Sequence, residues 1–365
     1  MSCGSAYERD TVKKTLLRLA LAFGGLVIGL VLAEVGCRVA SPGGATFVAG
    51  ALVGGQDPNL VEVTPRSRRL RPNVETVHSS LEYEAALRTN ELGLRGGPIT
   101  PRRDGELRIL TVGDSFTLAR QVEEDETFTA LLAEGTGGVA WNAGVDGYST
   151  YEATEQLERM VRDVRPDVVV LSFYLGNDLR DNASGGGPPA PIGHAPRAIW
   201  AEDLAMSLGT RSALAAHLTA RMLLAQGADD FRFQEHRDEI AVMVEPDVLD
   251  RDLEATRRAL EGFGQACQSA RARCIVGLIP PAYVVHDERA AATYEAFDLD
   301  PSQADFERVA RAVAEAVPAG LDVVDLSPAL QEAAADEAMY FTYDPHWTAE
   351  AHRVAAEVYL ETLNR

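Results

Sequence analysis

Five short apolar runs alternate with segments whose hydrophobic residues recur every three or four positions. The runs are 107–112, 139–142, 168–174, 274–279 and 321–324, each short enough for a strand and too short for a buried helix. Between them, Phe128, Leu131 and Leu132 share one helical face, 151–164 is amphipathic and stopped by Pro166, and 253–267, 306–317 and 349–363 keep the same period. The run Val168-Val169-Val170-Leu171-Ser172-Phe173-Tyr174 is apolar at odd and even positions alike, as a central strand covered on both faces must be. Strand and helix in alternation predict an α/β fold: a three-layer α/β/α sandwich around a five-stranded parallel sheet.

A different pattern opens the chain. Residues 19–33 carry no charge, and Leu16 and Leu17 lengthen the run to what a bilayer requires if Arg18 reaches back to the headgroups. Arg9, Lys13, Lys14 and Arg18 precede it and only Arg38 follows closely, so the positive-inside rule keeps the N-terminus cytoplasmic and exports the rest. A cleaved signal peptide fits less well, because Arg38 stands where a small residue is needed. A lipoprotein signal at Cys37 meets Glu34 where an aliphatic residue belongs. The expected plan is a cytoplasmic N-terminus (1–14), one transmembrane helix (15–37), a linker and lead-in segment (38–104), and an α/β domain (105–365) with an insertion at about 183–245. That places a single-pass protein in the inner membrane, its α/β domain periplasmic or extracellular.

Within 38–104, residues 41–64 show no strand or helix period and read as linker. The basic cluster 66–71 reads as a solvated stretch or one lying near anionic headgroups, and 89–96 as an ordered lead-in. The insertion combines a Gly- and Pro-rich loop with an amphipathic stretch at 202–225, which reads as a lid or as a surface excursion.

Composition narrows the partners. Hydrophobic residues make up 46% of the chain and charged residues 24%, as in folded proteins, and the formal charge of −21 excludes nucleic acid as a partner. Of the four cysteines no pair has metal-site spacing. Cys267 and Cys274, at a helix end and a strand start, read either as a local disulfide in an oxidising compartment or as two buried thiols. Asp344, His346 and His352 offer no further ligand to complete a metal site, so no metal or cofactor is expected.

The chemistry-bearing residues gather where the strands end. Ser115 follows the first strand, Gly147 the second, Asn177 the third and His346 the fifth. In a parallel sheet, all four meet at the C-terminal edge, where ligands bind. Ser115 reads as a nucleophile or a helix N-cap, with Asp114 bracing its turn. The Asn177 amide and the Gly147 N–H suit an oxyanion, and His346 a general base oriented by Asp344 in extended chain, which Pro345 favours. His352, on the closing helix, reads as structural.

These blocks resemble the SGNH (GDSL-type) hydrolases over about 105–365. Gly113-Asp114-Ser115-Phe116 matches the serine block, Gly147 the glycine block, Gly176-Asn177-Asp178 the asparagine block, and Asp344-Pro345-His346-Trp347 the histidine block. The resemblance implies a flavodoxin-like fold, Ser115 as nucleophile, His346 as base, and Ser115 N–H, Gly147 N–H and the Asn177 amide as oxyanion donors. The family's usual Asp-x-x-His would put aspartate where Tyr343 stands. The observed Asp-x-His-Trp is similar to the alginate O-acetyltransferase branch, which places that motif before its serine.

The expected function is therefore an acyl-serine esterase of the envelope, removing acyl groups (acetyl foremost) from a glycan or lipid. An O-acyltransferase modifying an envelope polysaccharide shares the first half-reaction. A non-catalytic glycan-binding domain would keep the fold but has no need of the full catalytic set.

Overall fold

A computed structural model of the chain describes residues 4–40, 60–63, 68–79, 82–185, 212, 214–215, 240–342 and 344–365. The expectations for the 41–59 linker, for most of the insertion (186–211 and 216–239) and for Tyr343 lie outside the described residues.

Gly4–Ala40 is one helix, and its stretch Lys13–Arg38 has a mean hydropathy of 2.3 with none of it buried among the described residues. It is long and apolar enough to cross a membrane. Leu16, Phe23 and Leu32 project from it uncovered, which in water would leave a large apolar surface exposed. Glu34 is partnered: its carboxylate pairs with Arg38 at 2.7 Å and accepts from Ser212 Oγ at 2.7 Å and Leu214 N at 3.0 Å.

Two antiparallel hairpins follow, β1 (Val61–Val63) with β2 (Arg68–Leu70) and β3 (Glu75–Ser79) with β4 (Glu84–Arg88). The sequence reading differs here. Val61–Val63 is strand rather than linker, and Arg68, read as solvated or headgroup-facing, is 2% exposed. Strands of three to five residues carry too few side chains for a period-2 signal; long-range polar contacts secure them instead. The lead-in is ordered by Arg95, whose buried guanidinium donates to the carbonyls of Leu118 and Val122 at 2.8 and 2.6 Å.

The main sheet contains β5 (Arg108–Val112), β6 (Val139–Asn142), β7 (Val168–Tyr174), β8 (Arg273–Ile279) and β9 (Asp322–Asp325), all parallel, in spatial order β6-β5-β7-β8-β9. This is the 2-1-3-4-5 order of flavodoxin-like sheets, whose topological switch point lies between the first and third strands. Alternate residues bury on opposite faces. Leu110, Val169, Leu171, Phe173, Val276 and Leu278 join the helices Thr150–Val164, Pro246–Ala270 and Phe306–Ala316 in one core. Ile109, Val168, Val170, Ile275 and Ile279 join Phe128–Thr136 and Ala349–Leu363 in the other. The result is the three-layer sandwich that apolar-on-both-faces strands require. Cys267 and Cys274 form a disulfide tying the end of helix Pro246–Ala270 to the start of β8.

Candidate active site

Ser115 stands just beyond the C-terminal end of β5. Gly113 makes the turn with φ +148°, and a side chain there would press to within 2.9 Å of the Ser172 carbonyl oxygen. Asp114 caps the short helical turn Ser115–Leu118, its Oδ1 accepting from Phe116 N at 3.0 Å. The cap is thus the aspartate, and the Ser115 hydroxyl faces His346. Asp114 and Phe116 are buried on either side while Ser115 stays partly exposed.

His346 Nε2 lies 2.6 Å from Ser115 Oγ, and its Nδ1 lies 2.5 Å from Asp344 Oδ1. Asp344 and His346 were expected to share a face of extended chain. They meet instead in a bend, where Asp344 Oδ1 also accepts from the His346 backbone N at 3.0 Å. That side chain-to-backbone bond, two residues on, is an Asx turn, and it brings the carboxylate under the ring. Phe116 packs on the imidazole at 4.9 Å between ring centroids. Trp347, 1% exposed, sits against Phe116 and Phe128, so the motif's tryptophan is a core anchor for the loop.

Burial alone would push the Asp344 carboxyl up, but the His346 charge, its hydrogen bond, Arg120 and Tyr83 outweigh that and hold it below the usual range. Burial would likewise lower His346; the Asp344 charge and hydrogen bond outweigh it and raise the imidazole above its ordinary value. A basic imidazole held against a serine hydroxyl can remove the hydroxyl's proton.

Asp344 is held from a direction the sequence reading missed. Tyr83 donates to Asp344 Oδ2 at 2.8 Å, and Glu82 accepts from the backbone N of Asp344 at 3.0 Å. The only sequence signal was an isolated aromatic among polar residues ahead of β4.

Gly147 and Asn177 sit beyond β6 and β7, on the same sheet edge as Ser115, with Ser115 and Asn177 flanking the switch point. Gly147 has φ +67°, and a Cβ there would meet Arg68 Nη1 at 2.7 Å. Its loop is tied down by the Arg120–Asp146 pair at 2.8 Å and by Val145 N donating to the Gly113 carbonyl at 3.1 Å. Asn177 is partly exposed between buried Gly176 and Asp178, and its Oδ1 is buried without a hydrogen-bond partner among the described residues. Ser115, Gly147 and Asn177 are thus each partly exposed between buried neighbours, and His346 is partly exposed as well.

Two further carboxyls lie beneath them. Burial first, then the charges of Asp146 and Asp181, push Asp114 up to about 7 against the Phe116 N–H and the His346 charge. Burial and the charges of Asp114 and Asp181 raise Asp178 well above the carboxylate range. His352 is buried against Phe128 and Trp347, and among the described residues no cluster of three or more His, Cys, Asp or Glu could hold a metal.

Residues 224–365 match the family model of the SGNH hydrolase-like domain of the acetyltransferase AlgX. That span contains Asp344, His346 and Trp347 and begins after Ser115, Gly147 and Asn177. No curated protein matches the chain in sequence. Among solved structures, a catalytic mutant of the acetylxylan esterase Axe2 from Geobacillus stearothermophilus is 14% identical, covering 73% of this chain and 97% of that one with a TM-score of 0.40. A lipolytic G-D-S-L family member from Veillonella parvula is 16% identical over 71% of this chain and 99% of that one, TM-score 0.36. TesA is 14% identical over 70% and 97%, TM-score 0.34.

Proposed function

We propose that this chain, whose residues 224–365 match an SGNH hydrolase-like domain, is a membrane-anchored serine esterase that removes acyl groups, acetyl foremost, from a cell-envelope glycan or lipid. The observation that carries this is the relay from Ser115 Oγ to His346 Nε2 at 2.6 Å and from His346 Nδ1 to Asp344 at 2.5 Å. Ser115 Oγ attacks the ester carbonyl as His346 takes its proton. The oxyanion that forms accepts hydrogen bonds from the Ser115 and Gly147 N–H groups and the Asn177 amide. Collapse expels the alcohol, which takes the proton back from His346, and leaves an acyl-serine. Water then attacks with His346 again as base, releasing the acid.

The apolar helix Lys13–Arg38 supports the anchor, and the cations before it support an exported α/β domain. The Cys267–Cys274 disulfide fits that oxidising side.

A second reading has one observation in its favour: the matching family model is that of an acetyltransferase, and the histidine block has the Asp-x-His-Trp form. A glycan hydroxyl would then replace water in the second half-reaction.

Hydrolysis of p-nitrophenyl acetate and longer p-nitrophenyl esters by the full chain in detergent, beside Ser115→Ala, tests both. Turnover lost in the variant supports the esterase. A burst of one equivalent that continues only on adding a glycan supports the transferase. A folded wild type that releases no p-nitrophenol from any ester overturns both.

A further inference from the structure

We infer that Arg68 and Tyr83, both on the hairpins ahead of the α/β domain, are positioning residues that aim the two halves of the site. The inference rests on the acyl-serine reading above.

Arg68 acts on the oxyanion half. Its Nη1 donates to the Asp146 carbonyl at 3.1 Å, and its Nη2 donates to the Gly147 carbonyl. The same Nη2 lies 3.2 and 3.3 Å from the two Glu152 oxygens. Glu152 is itself fixed, accepting from Ser149 N at 3.0 Å at the start of helix Thr150–Val164. The Asp146 carbonyl and the Gly147 N–H belong to one planar trans peptide and point in opposite directions. Fixing the carbonyl therefore fixes where the N–H points. Glycine at φ +67° leaves the peptides on either side freer to rotate than any other residue would. A guanidinium holding the carbonyls on both sides of Gly147 removes that freedom, and its charge polarises the peptide so that the N–H donates more strongly. A single fork, 2% exposed, serves two carbonyls and a carboxylate.

Tyr83 acts on the base half. Asp344 Oδ1 is taken by the backbone and ring of His346, and the Tyr83 hydroxyl takes Oδ2 at 2.8 Å. With both oxygens engaged, the carboxylate cannot rotate away from the imidazole. Glu82 beside it accepts from Thr342 N at 2.5 Å and Asp344 N at 3.0 Å, holding the loop that carries the carboxylate. The Tyr83 ring packs on Phe341 at 5.1 Å. Both halves of the site are thus aimed by residues 68–83, and the α/β domain is catalytically incomplete without them.

The test uses the full chain in detergent, with Arg68→Lys and Tyr83→Phe beside wild type and Ser115→Ala. Lysine keeps a cation against Glu152 but cannot fork. We expect kcat to fall about 10–100-fold with KM within about twofold, because the oxyanion exists only past the ground state. Tyr83→Phe is isosteric and should lower kcat about 10-fold. It should also move the acid limb of kcat/KM to higher pH, since Asp344, relieved of one donor, puts more charge on His346.

A kcat within twofold of wild type in the folded Arg68→Lys protein assigns Arg68 to stability alone and overturns its half of the inference. An unmoved limb and kcat in Tyr83→Phe overturn the other half. Failure of the esterase reading itself looks different: wild type would then show no Ser115-dependent acylation at all.

Discussion

Asp344 Oδ1 lies 2.5 Å from His346 Nδ1, and in the proposed acyl-serine mechanism this contact sets the pH range in which Ser115 would be activated. Burial and Arg120 both favour the neutral ring; the Asp344 charge overrides them and raises the imidazole above its ordinary 6.5. Only neutral His346 can accept the Ser115 proton, so kcat/KM should fall as pH drops through that raised value. In Asp344→Asn the main opposing charge is gone while burial and Arg120 persist against the smaller Asp146 charge, so the limb should move below 6.5 as kcat falls about 10⁴-fold. A pH–rate profile of both proteins reads this directly. A limb at the same pH in the two would mean that another group titrates.

The proposed oxyanion donors should separate by what each substitution disturbs. Asn177→Ala removes a side-chain donor and should cost about 10²–10³ in kcat with little change in KM. Gly147→Ala keeps the N–H but puts a Cβ 2.7 Å from Arg68 Nη1 at φ +67°. Its kcat should fall as well, and its unfolding free energy by about 1–2 kcal/mol, the left-handed conformation costing any non-glycine residue that much. Steady-state kinetics and thermal unfolding of the two variants make the comparison. An Asn177→Ala protein with wild-type kcat would remove that amide from the mechanism.

What could be read in advance depended on whether a residue's partners lie near it in the chain. The central strands β5, β7 and β8 were legible because each is a nearly continuous apolar run whose two faces fill two cores, while β6 and the half-exposed β9 were legible only as short apolar runs between helical periods. The meeting of Ser115, Gly147, Asn177 and His346 at one sheet edge was legible because each follows such a strand or closes a short motif. Arg68 and Tyr83 were not. Arg68 meets Glu152 84 positions away and Tyr83 meets Asp344 261 positions away, so neither partner lies within reach of any local pattern. A cluster of arginines looks solvated until something supplies buried acceptors. The Asx turn at Asp344 was also hidden, since Pro345 points to extended chain while the ring and backbone of His346, with distant Glu82 and Tyr83, hold the bend.

The Cys267–Cys274 bridge closes a short loop, seven residues apart in sequence, between a helix end and β8. Chain-entropy arguments put its worth at about 2–3 kcal/mol for a loop of that size. The double variant Cys267→Ala/Cys274→Ala should lose that much in urea unfolding while keeping its ester hydrolysis at low denaturant. Equal stability of variant and parent would mean that the two thiols are not joined in the protein as produced.

The buried acids beneath the site should be visible as a pH-dependent strain on the fold. Asp114 is pushed from 3.8 to about 7 by burial first and by Asp146 and Asp181 next, so folding favours its protonated form. A carboxyl raised in the folded state stabilises fully below its unfolded value, and that contribution is lost as pH rises through its folded value. For Asp114 the loss runs from about pH 4 to about pH 7. His78 and His352, both pushed down to about 3 by burial, tilt stability the opposite way across the same range, so the informative quantity is a difference between proteins. Asp114→Asn keeps an oxygen to accept from Phe116 N and cannot ionise. Relative to the parent it should gain about 1–2 kcal/mol as pH rises from 4.5 to 6.0, an interval below the titration midpoint of His346 in either state. Urea unfolding at the two pH values measures the difference, and a gap that stays constant would mean that Asp114 is ionised in the native protein throughout.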